Sequence, residues 1–244
     1  IDKAKVAYAK ALVINPTLAE ISNNLGSIAT DSGDWVSALQ HFENALEINS
    51  NIAETHGNIG NTLKQLGRLE EAEVSYKQAI LLKPDYADAH FNLGNTQRKF
   101  GKLGEAEESY RHVITLKSNL AEAHSNLGST LKELGRLEEA EASYTQAIAL
   151  KPDYAEAHFN LGNTLKELER LEEAEASYTR AIALKPDFAE AHNNLGTTLK
   201  KLGKLEETLA SYMQAIALKP DYAEARFNLG NTLKELGRLE ETEA

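Results

Sequence analysis

The sequence AEAHSNLGSTLKELGRLEEAEASYTQAIALKPDY occupies residues 121–154, and the 34 residues that follow repeat it at 29 of 34 positions. Steps of 34 residues in both directions find the same pattern along the chain. We predict a single array over residues 1–244, with a half repeat at 1–18 and a partial repeat at 223–244. The six full repeats are predicted at residues 19–52, 53–86, 87–120, 121–154, 155–188 and 189–222. Positions within a repeat are numbered 1 to 34 from these starts.

Each repeat is predicted to form two helices. In residues 121–154, apolar side chains first recur at helical spacing as Ala123, Leu127, Leu131 and Leu134. A second helical stripe follows at Leu137, Ala140, Tyr144, Ala147 and Ile148. Two helices of this length cannot bury their apolar stripes alone, so stability must come from neighbouring repeats that stack on each other.

Three kinds of residue predict how the helices end and pack. Gly135 follows the first helix, where a left-handed residue favours its end, and Pro152 ends the second helix because proline cannot continue the hydrogen-bond ladder. Asp153 and Glu156 are spaced as a capping box for the next helix. Glycine also recurs in mid-helix at position 8, as at Gly128, where we expect close contact between helices to offset its poor helix propensity.

The composition argues against several classes of function. The net charge is −11 and the pI is near 5.2, which argues against a nucleic-acid partner. The chain has no cysteine, and therefore no disulfide and no thiolate metal site. No apolar run is long enough for a membrane span, so we expect no membrane partner and a cytoplasmic protein. Because the chain starts at Ile1 and its only methionine is Met213, we expect a piece of a longer protein.

The residues that recur in every unit are the marks of a known family. In residues 121–154 they are Leu127, Gly128, Ala140, Tyr144, Ala147 and Pro152. A helix–turn–helix unit of 34 residues with these marks resembles the tetratricopeptide repeat, and the resemblance covers the whole chain. It implies an all-α fold, an α-solenoid in which antiparallel helix pairs stack into a right-handed superhelix whose first helices line a concave groove. It also implies a scaffold that binds peptide segments of partner proteins.

Departures from the family pattern are local. Glu169 replaces the turn glycine of one repeat, and Ser50 and Ser118 replace prolines. Histidine stands at the usual tryptophan position of the family, at His56, His90, His124, His158 and His192. The wording NLGSTLKELGRLEEA, residues 126–140, is also similar to the arrays that precede the catalytic domain of O-linked N-acetylglucosamine transferases.

Positions 2, 5, 6, 9, 12 and 13 of the first helix lie on one arc at about 100° per residue, opposite the apolar positions. This arc is the candidate groove. Position 6 is always asparagine, at Asn24, Asn58, Asn92, Asn126, Asn160, Asn194 and Asn228. We interpret these residues as a ladder of amides that bind the backbone of an extended peptide, similar to the asparagine ladder of the transferase arrays. Hydrogen bonds between neighbouring helices are the alternative explanation.

Two further positions supply candidate peptide contacts. Position 5 is phenylalanine at Phe91, Phe159 and Phe227, which are candidate anchors for apolar peptide side chains. Packing of these rings against the adjacent first helix is the alternative. Lys132 and Lys166 belong to a basic row at position 12 that would attract acidic ligands. Stabilisation of the helix C-terminus explains that row equally well.

No constellation in the sequence predicts catalysis, a cofactor or a metal site. The aligned histidines occur one per repeat, and adjacent helices lie ~8–10 Å apart, too far for one metal ion. The predicted function is a non-enzymatic scaffold that binds protein or peptide ligands in its groove. Two alternatives stay open: recognition of substrates for a larger enzyme such as a glycosyltransferase, or assembly with copies of itself.

Head-to-tail self-association is predicted from the two ends of the chain. Residues 1–18 would form a second helix without its first helix, and would leave uncovered Ala4, Tyr8, Ala11 and Leu12. At the other end, most of a second helix is missing beside Leu229, Leu233 and Leu236. Each end lacks what the other presents, and such a contact does not close by twofold symmetry.

Overall fold

A computed structural model describes residues 6–8, 10–11, 14–15 and 18–237. In residues 18–237 it contains thirteen α-helices joined by short turns. They are α1 (Ala19–Asp31), α2 (Trp35–Ile48), α3 (Ala53–Gln65), α4 (Leu69–Leu82), α5 (Ala87–Lys99), α6 (Leu103–Leu116), α7 (Ala121–Glu133), α8 (Leu137–Leu150), α9 (Ala155–Glu167), α10 (Leu171–Leu184), α11 (Ala189–Lys201), α12 (Leu205–Leu218) and α13 (Ala223–Glu235). Odd-numbered helices are called first helices and even-numbered ones second helices.

The chain divides into two compact units, residues 1–118 and residues 119–244. Within each unit, the first helices up to α11 pack along the second helix that follows them. Each second helix in turn packs against the next first helix of its own unit. The short turns make each pair antiparallel. The predicted all-α solenoid architecture is therefore confirmed in each unit.

Glycine at position 8 lets the two helices of a repeat approach closely. A Cβ atom on Gly128 would lie 2.9 Å from Cε1 of Tyr144, and one on Gly162 would lie 2.7 Å from Cε1 of Tyr178. Both tyrosines are almost fully buried. The predicted close contact is confirmed, and it explains why these repeats keep glycine in mid-helix despite its poor helix propensity.

The turn inside each repeat depends on a left-handed residue at position 15. Gly135 has a φ of 75°, as its place after the first helix predicts. Glu169 adopts a φ of 57° at the equivalent position of the next repeat. This conformation costs a residue with a Cβ atom ~1–2 kcal/mol, so the backbone is strained at Glu169 but not at Gly135.

The capping box predicted from Asp153 and Glu156 is wrong. Helix α9 begins at Ala155, so its N-cap is Tyr154, whose side chain makes no capping hydrogen bond. The backbone N–H of Tyr154 donates to the carbonyl of Lys151 at 3.1 Å, which tightens the turn. Asp153 therefore precedes the N-cap by one residue, out of register with the first turn.

Two leucines differ from their predicted burial. Leu134, expected in the core, is 38% exposed because it is the C-cap of α7. Leu233, expected to lack cover, is only 5% exposed because α13 packs against α12. Ala4, Leu12 and residues 238–244 lie outside the described residues. Head-to-tail association therefore stays a prediction.

Candidate functional site

The first-helix face is formed by positions 2, 5, 6, 9, 12 and 13 of the first helices. In α9 these positions are Glu156, Phe159, Asn160, Asn163, Lys166 and Glu167, and all six residues are half-buried or exposed. The residues Ala157 and Leu165, on the other side of α9, are buried. Helix α9 thus separates a core side from a face that a ligand can reach.

The position-6 asparagines share a place on this face but differ in their partners. All of them are half-buried: Asn24, Asn58, Asn92, Asn126, Asn160, Asn194 and Asn228. Asn194 Nδ2 donates to Asn163 Oδ1 at 2.8 Å, and Asn228 Nδ2 donates to Asn193 Oδ1 at 3.3 Å. The side chain of Asn160 makes no hydrogen bond to a described residue. Some of these amides therefore bond between neighbouring first helices, whereas the Asn160 amide is available to a ligand.

Two of the three position-5 rings, Phe91 and Phe159, pack within their own repeats. The ring centroid of Phe159 lies 4.6 Å from that of Phe188 and 6.0 Å from that of Tyr178. Phe91 makes a similar contact, at 6.1 Å, with the tyrosine of its own repeat. Both phenylalanines stay half-buried, and Phe227 is 69% exposed. Each of the three rings therefore keeps surface on the first-helix face.

The position-12 lysines differ in charge partner. Lys132 Nζ lies 2.7 Å from Glu167 Oε1, a carboxylate at position 13 of the next repeat. Lys166 has Lys201 at that place, and its ammonium has no hydrogen bond or ion pair with a described residue. Burial lowers the pKa of Lys166, and the charges of Lys132 and Lys201 add to this effect, while Glu167 and Glu224 oppose it.

The same pattern holds for two more lysines of this row. Lys200 Nζ lies 2.8 Å from Glu235 Oε1, again at position 13 of the next repeat. Lys64 has Lys99 at that place, and its ammonium donates to the neutral Asn92 Oδ1 at 3.0 Å. Burial lowers the pKa of Lys64. The residue at position 13 of the following repeat therefore decides whether these position-12 lysines have a carboxylate partner.

Five of the acidic residues at position 2 form ion pairs within their own repeats. Glu156 Oε1 lies 3.1 Å from Lys185 Nζ, and that ammonium is 4.7 Å from the centroid of the Phe188 ring. A hydrogen bond from its own backbone N–H lowers the pKa of Glu156, and Lys185 adds to the effect. Equivalent ion pairs join Glu54 to Lys83, Asp88 to Lys117, Glu122 to Lys151 and Glu190 to Lys219.

A pocket of about 360 Å³ opens on the first-helix face between α1 and α3. Its wall includes the rings of Trp35 and the buried Phe42, and its polar lining includes Asp31, Asn58 and Lys64. The pocket therefore joins an apolar surface to amide and charged groups, which is typical of sites that take a side chain.

Sequence reasoning missed this pocket, although the sequence contains its signal. Where most other repeats have Lys or Arg at position 12, Leu at position 17 and Tyr at position 24, the first full repeat has Thr30, Trp35 and Phe42. The short Thr30 side chain leaves open the space that a lysine stem would cover. A search for departures from the repeat pattern would have found all three residues.

The aligned histidines form hydrogen bonds to the turns that connect one repeat to the next. Nε2 of His90 lies 2.9 Å from the carbonyl oxygen of Pro84, and Nε2 of His158 lies 3.2 Å from that of Pro152. Because a carbonyl only accepts, the Nε2 atoms donate these bonds. His192 makes the same contact with Pro186, and His56 makes it with the carbonyl of Ser50, which replaces the proline. Within the described part of the chain, no three His, Asp or Glu side chains are grouped as metal ligands would be.

The stacked helix pairs and their partly polar first-helix face define an α-solenoid repeat protein. Among family models, the one described as TPR repeat matches residues 60–99, 128–168, 162–203 and 196–237. Models described as tetratricopeptide repeat match residues 87–120 and 22–52. The chain therefore belongs to the tetratricopeptide repeat family. No curated protein matches the chain in the corresponding sequence comparison.

Solved structures share this fold. The crystal structure of YrrB, described as a TPR protein with an unusual peptide-binding site, has a TM-score of 0.65 and 26% identity, covering 75% of this chain and 95% of YrrB. A MamA structure has a TM-score of 0.64 and 25% identity, covering 70% of this chain and 94% of MamA. A chain of the APC/C hetero-tetramer Cut9–Hcn1 has a TM-score of 0.70 at 16% identity, covering 95% of this chain and 46% of that chain.

The family and these structures identify the chain as a protein–protein interaction scaffold. Tetratricopeptide repeat folds are typically non-catalytic, and the alternative of a recognition array for an enzyme stays a prediction. None of the helices in residues 18–237 combines the length and the apolar character that a membrane crossing requires.

Proposed function

We propose that the first-helix face binds an extended peptide segment of a partner protein. The observation that carries the proposal is the pocket between α1 and α3, because it opens on this face beside the amides of Asn58 and Asn61. An apolar side chain of the segment would enter against Trp35 and Phe42, while its backbone bonds to the amides. The pocket would provide the apolar contact, and hydrogen bonds to the amides would orient the backbone of the bound segment.

Helix α9 supports the same proposal in the second unit. Asn160 presents an amide with no described hydrogen-bond partner, and Phe159 presents a half-buried ring one residue away. An amide and an aromatic surface side by side suit an extended peptide, whose polar backbone alternates with side chains. The peptide-binding site in the description of YrrB, at 26% identity, adds support from a related fold.

An array of random peptides tests the proposal. The peptides have about 12 residues, which span ~40 Å when extended, and amidated C-termini. The protein should retain a defined subset of peptides that contain apolar residues. Thr30→Lys restores the residue type that most repeats have at position 12 and should fill the pocket without disturbing the core. We expect the affinity of the retained peptides to fall about tenfold or more, as for other buried anchor contacts.

Gln40→Lys is the matched control, because it adds the same charge to an exposed position of α2 in the same repeat. Its binding should equal that of the unaltered protein, and both variants should melt at the same temperature. The proposal is wrong if no peptide is retained. The pocket has no part in binding if Thr30→Lys retains the same peptides with unchanged affinity.

The amides are tested by a second pair of variants. Asn160→Ala should weaken binding about threefold to tenfold, the cost of one hydrogen bond, and leave the melting temperature unchanged. Asn194→Ala removes the bond to Asn163 and should also lower the melting temperature. Equal losses of stability in the two variants would mean that Asn160 is structural.

A further inference from the structure

We propose that Lys64 and Lys166 are binding positions for carboxylate side chains, so that the first-helix face selects Asp or Glu at set places in the partner segment. This inference rests on the proposed peptide-binding function and adds the chemistry of the ligand. It assigns roles to two lysines of a row that otherwise looks uniform in the sequence. These two lysines differ from Lys132 and Lys200 because position 13 of the following repeat is a lysine and not a glutamate.

The contrast between Lys132 and Lys166 carries the argument. Both lysines are at position 12, and both follow the sequence NTL or STL on a first helix. Lys132 is bound to Glu167 at 2.7 Å and has its charge compensated. Lys166 has no carboxylate partner among the described residues because position 13 of the next repeat is Lys201. Of these two lysines, Lys166 is therefore the one whose ammonium has no carboxylate partner among the described residues and can bind an incoming anion.

No carboxylate of the described residues forms an ion pair with Lys166, although Glu167 and Glu224 act on it at longer range. The nearby Lys201 is itself paired with Glu169, at 3.1 Å, and Glu156 is paired with Lys185. A half-buried charge without a partner is costly to a folded protein. A carboxylate from a ligand would remove that cost, as Glu167 does for Lys132. A position that is unfavourable in the free protein and favourable in a complex is typical of binding sites.

Lys64 repeats this arrangement in the first unit. Among the described residues its ammonium bonds only to the neutral Asn92, and it lines the pocket that contains Trp35 and Phe42. A segment that places an apolar side chain in the pocket would therefore bring a neighbouring acidic side chain to Lys64. We expect apolar and acidic residues to be adjacent in peptides that bind the first unit.

The site fits a carboxylate side chain better than other anions. Lys166 provides one ammonium, a point charge without the fork of donors by which arginine holds phosphate. Two acidic residues, Glu167 and Glu224, and two basic ones, Lys132 and Lys201, act on Lys166 electrostatically, so their charges offset and the single ammonium matches the single charge of a carboxylate. Lys166 also lies on α9, with α7 and α11 on either side in the same unit, so a bound chain can continue past it in both directions.

The peptide array tests this inference through Lys166→Gln and its matched control Lys132→Gln. Peptides retained by the unaltered protein should be enriched in Asp and Glu at a fixed place. Lys166→Gln should remove one such preference and weaken the acidic peptides about tenfold, the value of a charge-assisted hydrogen bond. Lys132→Gln should keep the preference. Two further arms replace the amidated C-terminus by a free carboxylate, and Glu by phosphoserine.

Three results would overturn the inference while peptide binding itself stands. The acidic preference could survive in Lys166→Gln, it could be lost equally in Lys132→Gln, or it could be confined to peptides with a free C-terminus or phosphoserine. If the unaltered protein retains no peptide at all, both this inference and the proposed function fail. Peptides retained without any acidic preference would overturn this inference alone.

Discussion

The repeats at residues 121–154 and 155–188 are identical at 29 of 34 positions, yet their position-12 lysines have different chemistry. Lys132 is held by Glu167, whereas Lys166 has Lys201 where that carboxylate would be. The two repeats differ from each other in five residues, none of which is responsible. The difference comes from the repeat that follows each of them. In a stacked array, the chemistry of a surface position is therefore a property of two adjacent repeats.

The largest effect is expected where the two repeats are alike, in the contact between glycine and tyrosine. Gly128→Ala and Gly162→Ala should each lower the free energy of unfolding by ~1–3 kcal/mol, because the added Cβ would overlap the tyrosine ring at 2.9 and 2.7 Å. Urea denaturation measures the loss. Gly104→Ala is the control, since a Cβ there meets nothing within 4 Å and α6 should gain stability, by at most ~1 kcal/mol.

Nearly equal losses of unfolding free energy in Gly128→Ala and Gly162→Ala would show that the cores of the two repeats are packed in the same way. A Gly162→Ala variant as stable as the unaltered protein would contradict the packing described for α9 and α10. The two repeats would then differ in their cores as well as in their lysines.

A smaller effect is expected at position 15, where the repeats differ. Glu169→Gly should raise the free energy of unfolding by ~1 kcal/mol, because glycine adopts the left-handed conformation without strain. The gain is reduced by the exposed ion pair between Glu169 and Lys201, which contributes ~0–1 kcal/mol. The converse change, Gly135→Glu, should destabilise the protein. Thermal melting of the two variants tests both predictions. A loss of stability in Glu169→Gly would show that the backbone of Glu169 is not strained.

The sequence alone was sufficient to predict the structural features that depend on residues of a single repeat. The helical stripes, the left-handed Gly135 and the close contact at Gly128 follow from spacing and glycine chemistry. The failed capping box at Asp153 shows the limit of such patterns, because one residue of register moves the carboxylate out of the first turn. The pairing of Lys132 with Glu167 was not predicted. It depends on how adjacent repeats stack, which brings position 12 of one repeat next to position 13 of the following one.

The smallest effect concerns pH and the residue at position 26. Burial lowers the pKa of His158 from its ordinary value of 6.5; the hydrogen bond to Pro152 opposes this shift, and Arg180 adds to it. As pH falls below about 6.5, the unfolded chain takes up this proton before the folded protein does. Stability should therefore decline between about pH 7 and pH 5, and the contribution of His158 levels off once the folded protein is protonated there.

Arg180→Gln introduces the residue that the repeat at 121–154 has at position 26, Gln146. This change should raise the pKa of His158 and make the decline in stability with falling pH shallower. His158→Gln should remove its share of the decline. Melting temperatures measured at several pH values test both variants, and an unchanged slope in His158→Gln would mean that other groups cause the decline.

Exchange of the position-13 residues tests the central claim most directly. Lys201→Glu gives Lys166 the partner that Lys132 has, and Glu167→Lys removes the partner of Lys132. Binding is measured by fluorescence anisotropy for peptides from the array, each compared with its Glu→Gln analogue. Glu172→Lys, an exposed change on α10 with the same charge difference as Glu167→Lys, controls for overall charge. Our account predicts that Lys201→Glu abolishes the acidic preference at Lys166 and that Glu167→Lys, unlike Glu172→Lys, creates one at Lys132. A preference that is unchanged in both exchanges would contradict it.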